Sequence, residues 1–140
     1  MSSRFEPALR LTFSIGLRSP LDPSAFLGGW IRWDRARARR RRALDSLCRT
    51  FGSFTAFMAQ GEWHGASEPT LVVVVVVEVT DAAGEADVIA RAEQEAFQLA
   101  SSLGQEAVAL ETERVGFALV GREQDRAGGS SSAIGAQVVG

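Results

Sequence analysis

Between Leu71 and Val77 the chain runs through one leucine and six valines without a polar residue, stopping at Glu78. β-Branched side chains are stiff at χ1 and suit a pleated surface better than a helix, so this run is a strand. Seven apolar residues in succession, rather than an alternation, belong to a strand covered on both faces. A single layer of helices covers only one face of a sheet. The run therefore asks for a second cover, and another copy of the same chain is the simplest one.

A length of 140 residues fits one domain with a core of its own. The 46% hydrophobic and 23% charged shares are those of an ordinary globular protein, and a net charge of −2 exerts no global pull on nucleic acid or anionic lipid. All 15 basic residues are arginine, a bias that together with abundant Ala, Gly and Val suggests a GC-rich bacterial or phage genome. Cys48 is the single cysteine, which excludes an internal disulfide and a cysteine-held zinc or iron–sulfur site. Its neighbours Leu44, Leu47 and Phe51 predict a small buried hydrophobe. Met1–Pro7 lacks the apolar stretch of a secretion signal, and the valine run falls short of the about 20 apolar residues that span a bilayer. The expected location is cytoplasmic, with no membrane contact.

Leu9, Leu11, Phe13, Ile15 and Leu17 alternate with polar or small residues, the pattern of a half-buried strand. Asp22-Pro23 reads as an N-cap and first helical position, opening a helix that is weakened at Gly28-Gly29 and runs to Phe51. A second strand is expected over Phe54–Gln60, a hairpin connection over Gly61–Glu68, and the valine strand over Thr70–Thr80 with Pro69 at its mouth. After a turn at Asp81–Glu85, the stripe Val88, Ile89, Ala92, Ala96, Leu99, Ala100 and Leu103 predicts an amphipathic helix ended by Gly104. A fourth strand is expected at Ala107–Thr112 and a short fifth at Val115–Val120, turned at Glu113-Arg114. The order is that of an α+β, ferredoxin-like βαββαβ antiparallel sheet with both helices on one face, plus a short extra C-terminal strand. The single domain is expected over residues 9–121, between a flexible N-terminus (1–8) and a disordered Gly/Ser-rich tail (122–140). Alternate residues of the valine strand, joined by Thr55, Phe57 and Ala59, would form an open apolar face on which two sheets pack or share an edge as a homodimer or higher homo-oligomer.

This topology carries Arg18 and Asp22, the Glu62-Trp63-His64 and Glu68 segment, and Gln105-Glu106 to one end of the sheet. His64 is the only histidine, so any histidine-based acid–base or metal chemistry must use it, with Glu62, Glu68 or Glu106 beside it. The plainer reading is a solvated hairpin tip, and scattered carboxylates lack a recognisable metal-ligand spacing. Trp63 is either a stacking platform for a ring-shaped ligand or a seal over the end of the core. Gln105 and Glu106 suit a structural lock onto the neighbouring hairpin better than a catalytic pair. No nucleophile elbow and no phosphate-binding glycine loop is visible. No metal or cofactor is expected.

Seven arginines fall within the 11 residues from Arg32 to Arg42, and the four in succession, Arg39, Arg40, Arg41 and Arg42, must point around much of the helix. They form a basic flank fit for nucleic acid or an acidic partner, or else are balanced by Glu85, Asp87, Glu93 and Glu95 on the second helix.

The segments Phe51-Gly52-Ser53-Phe54-Thr55, Gly61-Glu62-Trp63, Glu68 before an apolar strand, and Gly104-Gln105-Glu106-Ala107-Val108 resemble those of a family of small proteins of bacteria and their phages with a G-x-W hairpin and a G-Q-E-[AS]-V entry into the last core strand. The resemblance covers about Leu9 to Val120, implies a ferredoxin-like fold, and implies that Trp63, Gln105 and Glu106 belong together; the family has no assigned activity. The long arginine-bearing helix departs from its pattern. The expected function is thus a non-enzymatic module that self-associates through its sheet and binds a partner or small ligand. Two alternatives stand beside it. One is a small-molecule enzyme or ligand-binding protein of the dimeric ferredoxin-like type with a pocket near Trp63, His64, Gln105 and Glu106, Arg18 being a further candidate ligand-binding residue; the other is a nucleic-acid-binding accessory protein using the Arg32–Arg42 helix.

Overall fold

The computed structural model describes residues 4–17, 29–63 and 65–121, without the side chains at 30–34, 63 and 66. The element order is β1 (Glu6–Gly16), α1 (Gly29–Phe51), β2 (Thr55–Trp63), β3 (Ala66–Glu78), α2 (Ala82–Leu103) and β4 (Ala109–Phe117). The strands form one sheet in the order β2-β3-β1-β4, every neighbouring pair antiparallel. Each helix joins strands that are two places apart, α1 passing over β3 and α2 over β1. This α+β arrangement of four antiparallel strands and two helices is consistent with the ferredoxin-like pattern.

Period-two patterning decides which face is covered. Leu9, Leu11, Phe13, Ile15 and Leu17 of β1 and its end are at most 1% exposed, and their cross-strand partners Leu71, Val73 and Val75 at most 2%. Ala43 and Leu47 of α1, with Val88, Ala92, Ala96, Leu99 and Leu103 of α2, close over them in one cluster. Phe13 and Phe51 meet with ring centroids 5.8 Å apart at a 50° tilt, the offset geometry that aromatic quadrupoles favour. The second helix is bounded as its sequence suggests. The Asp81 carboxylate accepts from the Gly84 N–H at 2.7 Å. At the other end Gly104 turns left-handed (φ 65°), while the Gly104 and Gln105 N–H groups close back onto Ser101 and Ala100.

Several expected boundaries move. β1 begins at Glu6 rather than Leu9, because Glu6–Ala8 pair with Val115–Phe117. β2 and β3 extend toward each other until Trp63 pairs with Ala66, in place of the longer connection, with Gly65 at φ 79°. Pro69 consequently lies inside β3. Its carbonyl accepts from the Leu17 N–H at 3.0 Å, so the missing N–H falls where β1 ends. The expected turn at Glu113-Arg114 does not form. β4 is one strand across it, with Glu113 opposite Arg10 and Arg114 opposite Leu9. The two charges face opposite sides, where Arg10 receives Glu113 and Glu85 receives Arg114 at 2.9 Å. Residues 18–28 and 122–140, with the first part of the expected first helix and the tail, lie outside the described residues.

Two side chains are misjudged from sequence. Cys48 is exposed on α1, its thiol directed to the Gly52 carbonyl, rather than buried in the stripe. Glu95 is buried at 4% exposure, where it accepts from the Ser46 hydroxyl at 2.5 Å and the Thr50 hydroxyl at 3.0 Å. Ser46 and Thr50 are four residues apart and share a face of α1, so one carboxylate clamps two turns of the opposing helix. Glu95→Ala is expected to cost about 1–3 kcal/mol in denaturant unfolding, because it strands two hydroxyls in the helix interface, and Glu95→Gln less.

Candidate functional site

Among the described residues, the valine strand is covered on one side only. Leu71, Val73 and Val75 are buried under the helices, whereas Val72, Val74 and Val76 remain partly exposed on the opposite face. Register places Thr55 beside Val74 and Phe57 beside Val72, and Phe57 is 52% exposed. The open face is not apolar throughout. Its β2–β3 half carries these side chains, and its β1–β4 half carries Arg10, Thr12, Ser14, Glu111 and Glu113. An apolar patch bordered by an ion pair is the usual composition of an interaction surface.

The patch continues around one sheet edge. Among the described residues β2 has a single strand neighbour, and it bears no charge from Thr55 through Gly61. Phe57 and Met58 leave it toward opposite faces, and both are well exposed. The other edge strand, β4, carries Glu111, Glu113 and Arg114. Charge on an edge discourages strand addition, so β4 is guarded and β2 is not.

The end of the sheet expected to gather polar residues also exists as topology requires. Leu17, the Trp63–Ala66 turn, Thr70 and the start of β4 lie at one end, and the Gln105-Glu106 segment leads into β4 there. On the open face at this end, Glu68 and Thr70 lean across the two flanking strands. A Cβ on Gly16 would stand 2.5 Å from Glu68 Oε1, and one on Gly61 would stand 2.5 Å from Thr70 Oγ1. At Gly61 the short Thr70 side chain takes the space a Cβ would need, whereas at Gly16 it is the flexible end of Glu68, which can swing aside. Arg18 and His64 lie outside the described residues, as does the Trp63 side chain. Gln105 is half-buried, its N–H closing the end of α2, and Glu106 is exposed. Of the five residues expected to bind a ligand, the structure thus describes the side chains of two, Gln105 and Glu106. Among them, no group of three or more His, Cys, Asp or Glu side chains is placed to hold a metal ion.

The arginine run divides by helical phase. Arg39 donates to the Leu17 carbonyl at 3.0 Å and fastens α1 to the end of β1; Arg40 is half-buried. Arg42 donates to the Ser102 carbonyl at 3.3 Å, placing a cation near the negative end of α2, whose own last turn has none. Arg35, Arg37, Arg41 and Arg49 are exposed. Arg37, Arg41 and Arg42 line an open depression of about 390 Å³ together with Ala38 and Asp45. The expected counter-charges on α2 are partly committed elsewhere, Glu85 to Arg114 and Glu95 to Ser46 and Thr50. No helix among the described residues is long and apolar enough to cross a membrane.

No family model matches the chain, and no curated protein matches it. Among solved structures it is similar to a phage SAM lyase in the apo state, with a TM-score of 0.48 and 11% identity over 88% of this chain and 97% of that one. It is also similar to the de novo designed protein Foldit4, with a TM-score of 0.32 and 11% identity over 83% of this chain and 98% of that one. Neither likeness bears on activity.

Proposed function

We propose that the protein is a non-enzymatic α+β module of ferredoxin-like topology that assembles with copies of itself through the open face of its sheet, as a homodimer or higher homo-oligomer. The observation that carries this reading is the half-covered valine strand, whose Val72, Val74 and Val76 lie with Phe57 on the face opposite both helices. Six valines in a row serve no purpose in a strand with one wet face, where alternation suffices. A second copy is the fitting occupant because the face is divided into an apolar half and a half with both charge signs. Two copies related by a two-fold axis bring apolar half onto apolar half, with Arg10 and Glu113 at the rim. The exposed Phe57 at the β2 edge extends the same surface. The sheet end with Glu68, Gln105 and Glu106 is then the place for a partner or small ligand, next to the assembly surface.

Sedimentation velocity over a range of concentrations tests the reading. The wild type is expected to sediment as an oligomer. Phe57→Glu, a change at an already exposed side chain, is expected to shift the distribution toward monomer without altering the circular dichroism. Identical distributions for the two proteins would remove the sheet face and its edge from the assembly.

A further inference from the structure

The helix layer carries a second surface of opposite character. Eight of the 15 arginines lie on α1 against two aspartates, Asp34 and Asp45, so this helix has a formal charge of +6 in a chain of −2. The rest of the chain therefore carries −8. Charge this segregated produces a strong local potential that the net charge conceals. The inward positions of α1 are Ala36, Ala43, Leu44, Leu47 and Phe51, packed on the core. Its exposed arginines, Arg35, Arg37, Arg41, Arg42 and Arg49, occupy the remaining arc, and three of them border the open depression.

We propose that this outer face of α1 binds the phosphate backbone of duplex nucleic acid without reading its sequence. Charge complementarity selects the partner: the guanidinium donors on this arc of the helix outnumber the one described carboxylate among them, Asp45, and suit a regular array of phosphates, with which arginine pairs bidentately. Between Arg35 and Thr50 the helix supplies arginine donors and no aromatic side chain, so contact along this stretch is made through phosphates. The face lies on the helix side of the sheet, away from Val72, Val74 and Val76. The inference does not rest on self-association. If the chain assembles through its sheet, every copy presents its arginine helix outward, and binding gains avidity.

The test is fluorescence anisotropy with a labelled duplex of random sequence, using the full chain across a salt series. The wild type is expected to bind at low salt, with log K falling linearly against log salt, and to bind a second unrelated duplex equally. The triple change Arg37→Glu, Arg41→Glu, Arg49→Glu alters only exposed side chains. It is expected to weaken binding at least tenfold and to flatten the salt slope by about 2–3. Circular dichroism and the sedimentation profile of this variant should match the wild type, which separates loss of the surface from loss of fold or assembly. Absence of duplex binding at low salt would overturn the inference, as would undiminished binding by the variant. Stronger binding to a single strand, or to polyglutamate in place of duplex, would equally overturn it and assign the face to a different anionic partner.

Discussion

Phe13→Ala is expected to destabilise the fold by about 3–5 kcal/mol, a large part of the total of about 5–15 kcal/mol typical of such a domain. Phe13 is fully buried at the centre of β1, the strand that pairs with both β3 and β4. Its ring fills the space between the sheet and Phe51 of α1, and its strand partners Val73 and Leu110 are too short to close the gap. Truncation therefore removes both transfer energy and packing, leaving a cavity that a sheet held on both sides cannot collapse into. Thermal unfolding should fall by about 10–20 °C. The comparison is Phe97→Ala, whose ring is 73% exposed on α2 and whose loss should change stability by about 0.5 kcal/mol or less. Equal effects from the two substitutions would contradict the placement of the core.

Val74→Lys is expected to leave the monomer folded and to break the assembly. Val74 stands on the open face between Thr12 of β1 and Thr55 of β2, clear of the helix-facing Val73 and Val75. In a lone chain the new ammonium reaches water, and the cost is the modest one of strand propensity, about 1 kcal/mol or less. Between two sheets it becomes a buried charge without a partner, a penalty of several kcal/mol per ion, so the dissociation constant should rise by about a hundredfold or more. Sedimentation with unfolding in denaturant reads both quantities. A variant that remains oligomeric with wild-type affinity would exclude the valine face. A variant that does not fold would show that face to be part of the chain's own core.

The pattern of this fold is legible wherever a local rule acts alone. Alternation from Leu9 to Leu17 marks β1 and its inward face, and Asp81 and Gly104 mark the ends of α2 by ordinary capping chemistry. Legibility fails where a distant partner overrides the local signal. Glu113-Arg114 resembles a turn until Arg10 and Glu85 are placed opposite them. Gly61 and Glu62 resemble a loop, yet they extend β2, and just before them the Gln60 amide donates to Ser67 across the hairpin at 2.6 Å. Glu95 reads as a solvated acid because the hydroxyls that receive it lie 49 and 45 residues earlier on another helix. Cys48 reads as core because an i, i+3, i+4 stripe does not resolve its edges, and Leu47 alone of the pair faces inward. The site was less legible than the fold. The valine run announces an uncovered face but not that only its β2–β3 half is apolar, which depends on register. The polar strand end follows from topology, whereas the leaning of Glu68 over Gly16 depends on the missing side chain of a strand partner's neighbour.

Native mass spectrometry of the wild-type chain, purified gently from its expression host, tests the central claim most directly. A mass that is an integral multiple of the single chain, dissociating on dilution, is the predicted result, and its loss in Val74→Lys would place the interface on the valine face. A single-chain mass at every concentration would contradict the account, because the valine strand would then stand half-covered in water with no partner of its own kind.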